Sequence, residues 1–387
     1  MDRMSGGMRG GMGGRARGAS LAVPGLATFG GPVLSRRGLL RLTAASLGTL
    51  ALGGLSACGG GDAGKNGEVN IFMFAEYIPD SVVSDFEKES GIKVNLSTYA
   101  TNEEMLAKVQ SVDAGTYDIV NPTGYMVKRM SEQGMLEKID KGKLDNLKNI
   151  GSQYLGKDYD PDNSYCIPYL SSVTSLAANT KKVGDGAITK WTDIFDSKYA
   201  NSLSVLDSYI EVIGATELAL GLKTISESDA SKFPEIEKKV LSLKPNIKVF
   251  EVTPQNSLIS GDADVALLYS AMTALAQQDN PDIEPIFPEE GSLLAIDHWA
   301  LPKGAKNVNN ALAFIDYMLK PETAQKVSEE FPYVQPNVAA VELLGDDFKG
   351  NKAKNVPEEV FQTGYFAEPL STETSAAYND IWTELKK

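Results

Sequence analysis

Residues Val69 to Thr98 read VNIFMFAEYIPDSVVSDFEKESGIKVNLST. Val69–Phe74, apolar except for Asn70, is a short run with the pattern of a buried strand. Ala75–Pro79 interrupts it as a loop. Ser81–Ser90 places Val82, Val83 and Phe86 on one face of a helix, and Ile92–Thr98 returns as a strand. The alternation continues outward. Thr101–Val112 predicts a helix opened by Asn102, with Glu103 and Glu104 in a first turn whose dipole favours acids. Tyr117–Val120 predicts a third strand, closed by Asn121-Pro122-Thr123-Gly124, and Tyr125–Gln133 another helix. Strand–loop–helix alternation predicts a largely parallel sheet with helices on both faces. In such sheets the loops after the strand C-termini form the ligand crevice. Here those loops carry Phe74, Glu76, Tyr77, Thr123 and Tyr125.

Farther along, Ser164–Ala178 is apolar and extended, long enough to cross into a second lobe. Trp191–Tyr199 reads as a short helix, Leu203–Leu206 as a strand, and Asp207-Ser208-Tyr209-Ile210-Glu211 begins a helix running to about Leu222. Glu211 in that first turn has an ordinary reading as a dipole-favoured helix start. Phe233–Leu243 is helical, Lys248–Val252 extended, Asp264–Tyr269 a buried strand and Ser270–Gln277 a helix. Ser292–Pro302, SLLAIDHWALP, is then a strand expected to cross back, stopped by Pro302. Asp297 lies inside it, next to His298, the one histidine of the chain. A carboxylate in an apolar run costs several kcal/mol unless donors or a cation meet it. Two readings stay open: Asp297 caps a neighbouring backbone at a strand end, or it lines a cleft and meets a cationic ligand. A second α/β pattern over Val308–Leu319 and Pro321–Glu330, a Pro-bounded loop holding Tyr333, and a last helix at Thr372–Leu385 complete the chain.

The chain has 387 residues, 42% of them hydrophobic, and a formal net charge of −14. Length and apolar content predict two lobes with real cores plus a leader. Seven arginines and one acid precede Cys58, so the remainder holds 30 of the 37 basic and 50 of the 51 acidic residues. That balance argues against a nucleic-acid partner, whose phosphates need a basic face. The leader explains the asymmetry. Ser35-Arg36-Arg37-Gly38-Leu39-Leu40 resembles a twin-arginine export signal. Leu42–Leu55 is too short and too rich in Gly and Ala for a comfortable membrane span. Leu55-Ser56-Ala57-Cys58 resembles a bacterial lipobox, with Cys58 the lipid-attachment residue. Residues 1–57 are therefore expected to be a leader and 58–67 a flexible tether. Cys166, in the apolar YCIPYL, is expected to be a buried small residue without a disulfide partner. One histidine and no cysteine cluster offer no usual zinc site.

The motifs in order carry a resemblance: FMFAEYIP at Phe72–Pro79, ESGIKV at Glu89–Val94, TYATNEEMLAKV at Thr98–Val109, YDIVNPTGYMV at Tyr117–Val127, KIDKGKLDNLKNI at Lys138–Ile150, YCIPYL at Tyr165–Leu170, IDHWALPKGAKN at Ile296–Asn307 and YVQPNVAA at Tyr333–Ala340. Together they resemble the periplasmic spermidine/putrescine-binding proteins of ABC transporters. The resemblance implies an α/β, two-lobe type II periplasmic-binding-protein fold. Each lobe is a mixed sheet flanked by helices, and the chain crosses between lobes at least twice. Lobe 1 is expected over 68–173 and 296–341, lobe 2 over 174–295 and 342–387. The family holds a polyamine between the lobes, with carboxylates on its ammonium groups and aromatic rings along its methylenes. By that resemblance Asp297 and Glu211 fall on acids that meet protonated amines. Tyr77, Tyr125 and Tyr333 fall on wall or hydrogen-bonding tyrosines, Thr123 on a ligand-contacting hydroxyl, and Phe74 and Tyr269 on positions usually held by Trp. Glu76 belongs to the same loop, and Glu368 falls near a ligand-contacting amide. Three positions depart: Ser208 stands where the family has a cleft acid, with Asp207 one place earlier, and Ala295 and Ser171 stand where it has aromatics. Fewer rings imply weaker contact, roughly 0.5–2 kcal/mol for each one lost.

The implied function is an extracytoplasmic lipoprotein, lipid-anchored to the outer face of the membrane and acting as a monomer, that captures a polyamine and delivers it to an ABC permease. The competing readings are a binding protein of the same fold for another small cation or a ferric ion, and an enzyme. Ferric iron wants clustered Tyr with His or carboxylate; Tyr125, Tyr333 and Glu76 are the candidates, with no adjacent Tyr pair. Anions want cleft arginines, and Arg129 is the one arginine after Cys58. No nucleophile–base pair, G-x-S-x-G or metal motif points to catalysis, and no cofactor is implied. His298 and Asp297, as strand neighbours, point to opposite faces.

Overall fold

The computed structural model describes residues 66–387, apart from Glu76 and Ile225. The export and lipid-attachment signals expected before Gly67, Cys58 included, and the candidate Glu76 lie outside the described residues.

Ten strands form one mixed sheet: β1 (Glu68–Phe74), β2 (Lys93–Tyr99), β3 (Ile119–Val120), β4 (Cys166–Asn179), β5 (Leu203–Leu206), β6 (Ile247–Glu251), β7 (Val265–Tyr269), β8 (Ile283–Ile286), β9 (Leu293–Ala300) and β10 (Tyr365–Phe366). Their order is β2-β1-β3-β9-β4-β7-β5-β6, with β10 beside β9 and β8 beside β4. The two wings are parallel: β1 with β2 and β3, and β5 with β6 and β7. The centre is antiparallel, through β3–β9, β9–β4 and β4–β7. A largely parallel sheet was the expectation from alternation, and it holds for the wings. The centre departs because β4 and β9 are connectors rather than members of a strand–helix–strand unit.

The local causes are visible in the first unit. Helix Asp80–Ser90 buries Val82 and Phe86 and ends at Gly91, whose φ of 69° only glycine adopts freely and whose N–H caps the Glu87 carbonyl. The chain then enters β2 in register with β1, Val69 opposite Val94 and Phe74 opposite Tyr99.

Two hydrophobic cores flank the centre. The first collects β1, β2, β3, the helix Val308–Met318, Trp299 and Phe314, and also Val356, Val360 and Phe361. The second collects β5, β7, Trp191, the interior of helix Tyr209–Ala219 and, from the terminal helix Thr372–Leu385, Tyr378, Ile381 and Leu385. β4 passes from one core to the other between Val173 and Leu176, and β9 returns between Leu293 and Leu294. Helix Tyr209–Ala219 is apolar nearly all round, with Val212–Leu218 buried, as a helix inside a core must be. Among the described residues no helix is long and apolar enough to cross a membrane. Cys166 is buried and free, and burial pushes its thiol pKa up.

Candidate functional site

The site gathers where β4 and β9 change cores. Asp297 sits on β9 with 7% of its surface exposed. Tyr77 donates its hydroxyl to Asp297 Oδ2 at 2.6 Å and Thr123 donates to Oδ1 at 2.5 Å. Thr123 also bridges the Asp297 backbone in antiparallel fashion. No lysine or arginine among the described residues pairs with this carboxylate. Burial therefore pushes its pKa up, while the two hydroxyls pull it partly back. Asp297 is held by side-chain hydroxyls, not by backbone N–H groups, so the strand-end capping role does not describe it.

Each hydroxyl is itself positioned. Asn102 donates to Thr123 Oγ1 at 3.0 Å and accepts from Thr123 N at 3.2 Å. Asn102 is free to do so because Thr101 caps the helix Asn102–Ser111 by accepting from Glu104 N; the helix is opened by Thr101, where Asn102 was expected. Tyr77 is braced by Tyr333, ring centroids 4.8 Å apart, and by Phe74 at 5.4 Å. Tyr169 donates to the Tyr77 carbonyl. Tyr333 is fixed by the pairing of Val334 with Ser171 on β4, at 3.0 and 3.1 Å.

From the second core, Tyr269 at the end of β7 donates to Glu211 Oε1 at 3.2 Å. Its hydroxyl pKa is pushed up by burial first, then by the Glu211 and Asp297 charges, so Tyr269 stands within electrostatic reach of both acids. Glu211 Oε2 is buried with no hydrogen-bond partner among the described residues. Burial pushes the Glu211 pKa up, with the Thr174 and then the Tyr269 hydroxyl opposing. Tyr269 thus hydrogen-bonds one acid and feels the charge of the other.

Other candidates are placed differently. Phe74 is 2% exposed and packs behind Tyr77 and Tyr99. Tyr125 is half-buried and donates to Glu103 Oε1 at 3.1 Å. Glu368 is exposed and ion-paired with Lys128 of helix Gly124–Glu132, while its N–H donates to Ser226. Asp207 pairs with Lys386 at 2.6 Å, leaving Ser208, 6% exposed, at the helix start. Ser171 donates to the Ala295 carbonyl at 2.8 Å. His298 is fully buried on the other side of β9, 3.2 Å from the Tyr159 hydroxyl, its pKa pushed down to about 4 by burial, so it is neutral. Asn102 was read as a helix opener and not as a partner of Thr123; Tyr99, which donates to the Asn121 carbonyl at 2.5 Å, and Asn121, whose side-chain amide donates to the His298 carbonyl at 2.8 Å, were not singled out. The Thr101-x-x-Glu104 pattern was the available signal for Asn102. Among the described residues no group of three or more His, Cys, Asp or Glu is disposed to hold a metal ion.

The sequence model of the bacterial extracellular solute-binding proteins matches residues 81–356. The chain belongs to that family. The spermidine/putrescine-binding periplasmic protein of Salmonella typhimurium is 32% identical over 340 residues, covering 88% of this chain and 96% of that one. The protein of the same description from Escherichia coli is equally similar, 32% over 340 residues. Among solved structures, the spermidine/putrescine ABC transporter substrate-binding protein PotD of Streptococcus pneumoniae superposes with a TM-score of 0.74 at 30% identity, covering 82% of this chain and 98% of that one. This solute-binding protein therefore has the two-lobe fold that its motifs implied.

Proposed function

We propose that the protein captures a polyamine between its lobes and hands it to an ABC permease outside the cytoplasm, anchored through lipid on Cys58, as a monomer and without turning the ligand over. The two cores would be the two lobes, with β4 and β9 as the crossings. The observation that carries this reading is the pair of buried acids without a cation: Asp297 held by hydroxyls alone, and Glu211 with an unmet oxygen. A buried carboxylate left this way is costly, and two ammonium groups on an apolar stem would meet both while Tyr77, Tyr269 and Tyr333 line the methylenes. The relatives at 32% identity are named for spermidine and putrescine, which supports the same class. Tyr125 and Thr123 would complete the wall, Phe74 would back it, and Glu76 and Glu368 would sit at its edges.

The test is thermal melting of the mature chain, without Cys58, against putrescine, cadaverine, spermidine, spermine, amino acids and metal ions. A ligand that binds only the folded state at a hundred times its Kd adds about 2.7 kcal/mol, so a concentration-dependent rise with one or more polyamines is expected. A rise with another solute and none with polyamines overturns the reading and leaves the fold.

A further inference from the structure

Glu103 is a third carboxylate at this site, on the exposed side of the first turn of helix Asn102–Ser111. Its neighbour Asn102 bonds Thr123, and Thr123 bonds Asp297. Two hydrogen bonds in series therefore tie this helix start to the buried acid. Tyr125 donates to Glu103 Oε1 at 3.1 Å. Tyr209, the first residue of the helix that carries Glu211, comes from the other core. Besides this bond, the Glu103 charge raises the pKa of both tyrosine hydroxyls, second only to burial, so its field acts on a tyrosine packed against each core. No lysine or arginine among the described residues pairs with it. Farther in, Glu211 Oε2 is buried and unmet, an independent sign that a donor enters from outside the chain.

We propose that Glu103 is a specificity-determining residue that receives the third ammonium of a triamine at the mouth of the cleft, between Tyr125 and Tyr209, while Asp297 and Glu211 hold the inner two. A diamine satisfies the inner acids and leaves Glu103 in water; a triamine of spermidine length places one more charge where the lobes meet. Partial desolvation between two rings makes that contact stronger than an open surface pair. The proposal rests on the polyamine reading above.

The experiment is calorimetric titration of the mature chain, wild type and Glu103→Gln, with putrescine and spermidine at two salt concentrations. Glu322→Gln serves as the control, an equal charge change on helix Pro321–Glu330. Glu103→Gln is expected to weaken spermidine about three- to tenfold, flatten its salt dependence, and leave putrescine within about twofold. Glu322→Gln is expected to leave both unchanged. Equal loss for both ligands assigns Glu103 a general field effect and overturns the proposal, as does no loss for either. A wild-type chain that binds neither polyamine overturns the functional reading itself, and the proposal with it.

Discussion

One helix, Tyr209–Ala219, carries two acids with opposite fates. Glu217 lies deep in the second core and is fully buried, accepting from the Tyr378 hydroxyl and, at 3.0 Å, from the Glu227 backbone N–H. It ties the terminal helix and the loop after Leu222 to one point. Glu211, at the other end, meets side-chain hydroxyls, those of Thr174 and Tyr269. Both are pushed up in pKa by burial, Glu217 to about 7. Burial and a tyrosine donor therefore do not distinguish a structural carboxylate from one proposed to meet a ligand. The distinguishing feature is the backbone: Glu217 organises main chain, while Glu211 and Asp297 take side-chain hydroxyls and leave the main chain to others.

The strongest way to break this contrast is Asp297→Asn. Loss of one partner of a buried charge pair costs about 2–5 kcal/mol, so polyamine affinity is expected to fall at least about thirtyfold by calorimetry. The unliganded chain should melt no lower than wild type, because an uncompensated buried charge has gone. A large drop in unliganded stability with affinity intact would make Asp297 structural, like Glu217.

The second test uses pH. Asp297, Glu211 and Glu217 all have folded pKa values above their ordinary range. The folded state then binds more protons than the unfolded one, so the stability each contributes is present below the ordinary carboxylate pKa and lost as pH rises through the folded value. For Glu217, a rise from 4.5 to about 7 corresponds to roughly 3 kcal/mol lost between pH 4.5 and 7. Saturating polyamine is expected to abolish the Asp297 and Glu211 parts of this slope, since ammonium groups keep both ionised. The Glu217 part should persist with ligand and vanish in Glu217→Gln. Melting curves across pH 4.5–8, with and without ligand, measure each part; a slope wholly erased by ligand in the wild type would place Glu217 in the binding site.

The smallest effect sharpens the comparison at one atom. Tyr269→Phe keeps the ring and removes the hydroxyl on Glu211. With a net hydrogen bond worth about 1 kcal/mol, affinity should fall about fivefold with little change in melting temperature. Unchanged affinity would assign the hydroxyl to structure alone.

Much of the fold was legible because it is local. β5 at Leu203–Leu206 and the helix Thr372–Leu385 match their sequence ranges, since each is an apolar or amphipathic run with its own stops. The short helices Val338–Leu343 and Glu358–Thr363, and the strands β8 and β10, were not read. They are four to six residues or fewer and are held by neighbours, such as β8 by its pairing with β4, not by periodicity. At the site, Asp297 announced itself as an acid in an apolar run; Tyr77 and Thr123 were read as ligand contacts, and their bonds to Asp297 came from the structure. Glu103 did not, because its position also suits an ordinary helix start. Glu368 is exposed and paired with Lys128, a choice between neighbours that no local pattern encodes.

By itself, then, the sequence determined the strand–helix alternation, the two crossings and the acids that cannot be buried unpaired, because hydrophobic period and the cost of a desolvated charge act within a few residues. Only the tertiary structure decided which hydroxyls meet those acids. Tyr77, Thr123 and Asp297 are joined across as many as 220 positions, and Tyr269 on β7 reaches Glu211 58 positions away, because β4 and β9 carry two separate cores into one sheet.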